Sequence, residues 1–109
     1  MDIEIRKETA QAIRQFSLER DWDQFHTPEN IAKSIAIEAA ELLECFQWGQ
    51  EVDGQAVAEE LADVVNYCIV MAQRLELDLN QVVLDKLEKN KVKYPVDKCL
   101  GNSTKYDKL

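Results

Sequence analysis

Apolar residues return every three or four positions along most of this chain, the period of helices that each bury one face. Strands would instead alternate with period two and need tight turns at their ends. Three glycines and two prolines in 109 residues supply few such turns. The pattern predicts an all-α fold of four helices with short connections. The first runs from a cap at Asp2 to about Arg20, with Ile5, Ala12, Ile13 and Phe16 as a sparse apolar face. An aromatic loop, Trp22-Asp23-Gln24-Phe25-His26, follows. Thr27-Pro28-Glu29 then opens the second helix with a hydroxyl cap, a proline at the first position and an acid in the first turn. That helix runs to about Trp48 and stops at Gly49. A polar loop, Gln50 to Gln55, leads to a third helix over roughly Ala56–Leu75, with Val57, Leu61, Val64, Cys68, Met71 and Leu75 inward. Asp78 or Asn80 caps the fourth, with Leu79, Val82, Val83 and Leu87 inward, and Pro95 closes it. Residues 1–95 therefore read as one helical domain, and residues 96–109, which show no period, as a tail.

Charge removes several function classes. Twenty-one acids against 13 bases leave a formal net charge of −8, whereas binding a nucleic-acid polymer by counterion release needs a basic stripe. No apolar run approaches the roughly 20 residues of a membrane span. The opening MDIEIRKETAQ lacks the apolar core of a signal peptide, so a cytoplasmic location is expected. Cys45, Cys68 and Cys99 match no metal spacing. The first two fall in apolar helical patterns, where reduced thiols pack as small hydrophobes. Lys86, Lys89, Lys91 and Lys93 gather toward the end of the fourth helix. There they complement the helix dipole, and a second use is to draw in phosphates.

The informative acids are those in the wrong place. At about 100° per residue, Ile31, Ile35, Glu38, Leu42 and Cys45 share one face of the second helix, with Glu41 roughly 60° to one side. On the third helix Glu60 and Asp63 lie beside the apolar stripe, while Glu59 faces away. A carboxylate turned toward a core is costly unless a cation or donor compensates it. The pattern occurs twice, as Glu38-x-x-Glu41 and Glu60-x-x-Asp63, on helices expected to lie antiparallel. Facing each other, the pairs would converge four hard oxygen ligands, a set suited to Mg²⁺ or Mn²⁺. The plainer alternative is a set of salt bridges or a solvated acidic edge. A di-iron bundle wants Glu-x-x-His pairs, and the only histidine, His26, is in a loop. Trp22 and Trp48 stand at loop–helix junctions, Phe25 and His26 near the first, and Tyr67 about one turn beyond Asp63. Such rings either stack a nucleobase or plug the ends of the bundle.

These residues resemble a known family. Glu38-x-x-Glu41, eighteen intervening residues, then Glu60-x-x-Asp63 is similar to the metal signature of MazG-type nucleoside triphosphate pyrophosphohydrolases. Arg20 to His26, Phe46-Gln47-Trp48, Glu59 to Val64, Lys93-Tyr94-Pro95-Val96 and the tail's Lys105-Tyr106 resemble its dCTP pyrophosphatase branch. The resemblance implies a four-helix fold assembled as homodimers or homotetramers, with active sites completed between subunits. It implies hydrolysis of a nucleoside triphosphate to the monophosphate and pyrophosphate. It also implies Mg²⁺ on Glu38, Glu41, Glu60 and Asp63, with Mn²⁺ as a substitute. Trp22 and Trp48 would hold the base, with His26 beside them. Tyr67 would contact sugar or phosphates. Glu41, at the edge of the stripe, is the choice for the base that deprotonates the attacking water.

Two departures accompany that resemblance. The loop from Gly49 to Gln55 is short, and no Lys or Arg occurs from Gln50 to Gln73. Phosphate charge must then be met by metal, by Arg14 or Arg20, or by Lys91, Lys93 and Lys105. Asn66 stands where an apolar residue is expected beside the tyrosine. The base therefore stays open among dCTP, dATP and modified pyrimidine nucleotides. The rival reading is a non-enzymatic acidic helical module, antitoxin-like or scaffold, in which the four carboxylates are replaceable. Calcium binding of the EF-hand kind lacks its loop motif.

Overall fold

The computed structural model describes residues 4–49 and 51–108. All regular structure among them is helical: α1 (Lys7–Glu19), a 3₁₀ turn (Trp22–Phe25), α2 (Pro28–Glu44), α3 (Gly54–Arg74), α4 (Leu79–Lys93), α5 (Val96–Cys99) and a last 3₁₀ turn (Tyr106–Lys108). The chain divides between Leu77 and Asp78 into two compact units.

In the first unit α2 and α3 form a hairpin, and α1 packs on α3. The interior is small. Ile31, Ile69 and Ala72 are buried, together with the hydroxyl-bearing Ser17. Side-chain bonds tie the elements: Gln73 Nε2 donates to the Ala10 carbonyl at 2.9 Å, and Arg74 Nε to the His26 carbonyl at 3.1 Å.

Local chemistry explains each helix end. Thr27 accepts from the Asn30 N–H at 3.2 Å, with Pro28 at the first helical position, as the sequence predicts. Asp53 accepts from the Gln55 N–H at 3.0 Å, so α3 begins at Gly54 rather than at Ala56. α2 stops at Glu44, short of Trp48, because the next three N–H groups reach back only three residues, to Leu42, Leu43 and Glu44. This tightening leads to Gly49, whose φ of +67° suits a residue without Cβ. α3 ends in a Schellman motif. Leu77 N–H bonds to the Ala72 carbonyl, Glu76 N–H to that of Gln73, and Glu76 takes the left-handed conformation at φ +55°. α1 begins at Lys7 with Arg6 at its cap position; Asp2, expected as the cap, lies outside the described residues.

Burial on α3 departs from the expected stripe. Leu61 and Leu75 are exposed, while Ile69 and Ala72 form the buried line. α3 touches both α1 and α2, so its covered face is centred between them.

In the second unit Asp78 caps α4 by accepting from the Gln81 N–H at 3.2 Å. Leu79, Val82, Val83 and Leu87, expected inward, are exposed. Four short helices carry more apolar stripe than a chain of this length can cover. Lys93 Nζ lies 4.8 Å from the centre of the Tyr106 ring, and Tyr106 meets Tyr94 edge-on at 6.1 Å. The stretch after Pro95 thus contains a turn of α-helix and a 3₁₀ turn. No helix among the described residues is long and apolar enough to cross a membrane.

Candidate metal centre and adjoining cavity

The hairpin brings acids from two helices together. Glu38 of α2 and Glu60 and Asp63 of α3 each offer a carboxylate oxygen, and these oxygens lie within 4.8 Å of one another. Glu38 and Glu60 are half-buried. Their Oε2 atoms are buried and have no hydrogen-bond partner among the described residues. Glu41 lies outside this group of three, yet its carboxyl is near enough to act on both Glu38 and Glu60.

Electrostatics records the same crowding. Burial, the contact with Glu41 and the charges of Glu41, Asp63 and Glu60 push the Glu38 carboxyl from its ordinary 4.5 up to about 7. Burial first and the Glu41 contact second also raise Glu60. Converging hard oxygens, two of them buried without a donor, fit a divalent cation: its charge would satisfy both orphan atoms and remove the repulsion.

Beside the carboxylates opens a cavity of about 430 Å³, a size typical of small-molecule sites. Glu38 and Asp63 stand on its wall with Trp22, His26, Asn66 and Tyr67. α1 adds Ile13, Phe16 and Ser17. The rings form an edge-to-face chain, Phe16 to Trp22 at 5.5 Å and Trp22 to His26 at 6.2 Å. The turn carrying Trp22 and His26 is held from behind. Arg14 donates to both oxygens of Asp23 at 2.6 Å, and this hydrogen-bonded pairing holds the Asp23 carboxyl below its ordinary range. Arg74 grips the His26 carbonyl.

From sequence, Ile13 and Phe16 read as helix-packing residues, and of α1 only Arg14 is a candidate for the site. The signal available was the sparseness of α1's apolar face, too thin to cover a core and suited to lining a cavity.

A family model describing the MazG-like family matches residues 33–109. The chain belongs to the MazG-like family. Among proteins similar to this MazG-like chain is dCTP pyrophosphatase 1 of Mus musculus, 37% identical over 105 residues, covering 87% of this chain and 62% of that protein. The Homo sapiens protein of the same name is 37% identical over 107 residues, with the same coverage. The chain therefore spans less than two thirds of the length of these relatives. A crystal structure of a pyrophosphatase from Archaeoglobus fulgidus superposes with a TM-score of 0.74 at 37% identity, covering 87% of this chain and 98% of that one.

Not every expected residue meets at the cavity of this MazG-like chain. Trp48 lies in the turn after α2, 76% exposed, and is not among the lining residues. Lys93 and Lys105 belong to the second unit, Lys93 over Tyr106 and Lys105 accepting at its carbonyl from the Lys108 N–H. Arg14 is engaged by Asp23, and Arg20 donates to the Phe16 carbonyl while stacking 3.7 Å from that ring's centre. Glu59, expected to face away, accepts from Gln55 at the surface.

Proposed function

We propose that the chain is a Mg²⁺-dependent nucleoside triphosphate pyrophosphohydrolase, with dCTP-like substrates favoured, acting on the nucleotide pool of the cytoplasm. The observation that carries this reading is the carboxylate cluster, with its two orphaned buried oxygens, opening onto an aromatic cavity. The names of its relatives, dCTP pyrophosphatase 1 and a pyrophosphatase, support the reaction class.

In this reading Glu38, Glu41, Glu60 and Asp63 would hold the cation, whose chemistry there would be to offset negative charge on the phosphates. Glu41, whose charge acts on two of the other carboxylates, takes the proton from the attacking water. Trp22 and His26 hold the base against Phe16, and Tyr67 contacts sugar or phosphates from the same wall. Trp48, Lys93 and Lys105 join the substrate from a homodimer or homotetramer partner, since sites completed between subunits leave such residues outside their own chain's cavity. No polymer of nucleotides is expected as a substrate, given the net charge of −8.

Product analysis tests the reading. Purified protein with Mg²⁺ and each common deoxynucleoside triphosphate is expected to release monophosphate and pyrophosphate, fastest with dCTP. Diphosphate plus phosphate would refute the reaction. Absence of turnover with either Mg²⁺ or Mn²⁺ would leave the acidic interaction module as the better description.

A further inference from the structure

Among the described residues Ser17, in the last turn of α1, is the one polar residue buried as a whole, at 4% exposed. A serine inside a helix has a ready partner for its hydroxyl in the carbonyl one turn back. Ser17 does not take it: its hydroxyl makes no hydrogen bond with any described residue. Nor is its oxygen sealed off, as Glu38 Oε2 and Glu60 Oε2 are. The little surface that Ser17 keeps is cavity wall. On one side is the ring-lined cavity; on the other is a second, polar one of about 380 Å³, which shares Ser17, His26 and Val70 with the first. A buried hydroxyl without a partner is costly. In the second cavity the polar groups of Arg14, Asp23 and Gln73 already bond elsewhere in the fold, so the hydroxyl is left to whatever occupies the first.

We infer that the Ser17 hydroxyl hydrogen-bonds the polar rim of the substrate's base and so selects for a ring that has one. The inference rests on the nucleotide reading proposed above. A nucleobase is apolar on its faces and polar on its rim, and the two surfaces need different walls. Phe16, Trp22 and His26 supply the wall for the faces. Ser17 follows Phe16 in the chain and lines the same cavity as all three rings, so a base lying against them brings its rim to the hydroxyl. A hydroxyl both donates and accepts, so it meets a ring carbonyl, a ring nitrogen or an exocyclic amine alike. It therefore separates polar-rimmed rings from apolar ones of the same shape, and leaves the choice among bases to other contacts.

The test compares the full chain with Ser17→Ala, which removes one oxygen and suits a helix better. Two probes are titrated calorimetrically in the presence of Mg²⁺. One is dCMP; the other is the 5′-monophosphate of a deoxyriboside carrying a difluorotolyl ring, flat like a pyrimidine but almost without hydrogen-bonding capacity. Ser17→Ala is expected to weaken dCMP binding about tenfold and to leave the affinity for the difluorotolyl compound unchanged. Without nucleotide, the Tm of the variant is expected to match or exceed that of the wild type, because the hydroxyl has no partner in the fold. Unchanged dCMP affinity overturns the inference. So does equal weakening of both probes, which marks a change of cavity shape, and so does a lower Tm without nucleotide, which assigns the hydroxyl to the fold. The expected pattern with no pyrophosphate released from dCTP keeps the base contact and refutes the reaction. A wild type that binds neither probe refutes both.

Discussion

In the proposed site Glu38 is a residue whose ionisation the folded structure makes costly. Held near 7, its carboxyl keeps a proton in the folded chain that the unfolded chain has already released above about pH 4.5. The folded state therefore binds more protons in that window, and stability falls as pH rises from about 4.5 to 7. In metal-free buffer, Tm is expected to decline over that interval, and Glu38→Gln to flatten the decline. Ligation requires the ionised form, so Mg²⁺ is expected to raise Tm more at pH 8 than at pH 5.5; an equal rise at both would count against the cluster as the binding site. The Asp23–Arg14 pair works in the opposite sense: its contribution is present above the ordinary carboxylate range and is lost as acid protonates Asp23. For activity, Glu38→Gln and Asp63→Asn are expected to abolish turnover with helix content by circular dichroism intact. Glu41→Gln should lower kcat by about 10²–10⁴, and Glu59→Gln should change little. Wild-type rates in both Glu38→Gln and Asp63→Asn would sink the metal model.

At the level of elements, the hairpin of α2 and α3 is the scaffold that brings Glu38 beside Glu60 and Asp63. Ile31, 1% exposed, stands one residue after the Thr27 cap's acceptor bond, so capping and burial reinforce each other at the start of α2. Thr27→Ala is expected to cost about 1 kcal/mol and Ile31→Ala about 2–5 kcal/mol in urea unfolding. Near-equal losses would mean that α2 is held mainly by its end. Much of this was legible beforehand: period, caps and turn residues are local properties, and they place four helices within a few residues. The misplaced acids were legible because a helix has a known angular step, so Glu38 in mid-stripe stands out without any structure. What local pattern does not encode is which two helices share a third. That is why Leu61 and Leu75 were read inward and Ile69 and Ala72 were not named, and why α1's part in the cavity went unseen. Arg14 likewise reads as a free cation in the sequence, and only tertiary geometry brings Asp23 to it.

As a whole molecule, the chain leaves a great deal of apolar surface uncovered: Ile37, Leu43, Phe46 and Trp48 in the first unit and Leu84, Val92 and Val96 in the second are all more than half exposed. Surface of that kind marks an interaction face, and a homo-oligomer is the simplest occupant. Light scattering coupled to size exclusion is expected to return a dimer or tetramer, and Tm should rise with protein concentration. A monomer whose Tm is independent of concentration would remove the assembly from the proposal. One further consequence lies at the turn that closes α3. Glu76 occupies a left-handed position where an L-residue is disfavoured by roughly 1–2 kcal/mol, and it is absent from both the carboxylate cluster and the wall of the 430 Å³ cavity. Natural chains retain such imperfections because selection asks only for enough stability. In a laboratory selection for heat tolerance, position 76 is therefore where glycine should enrich early, yielding hardier variants.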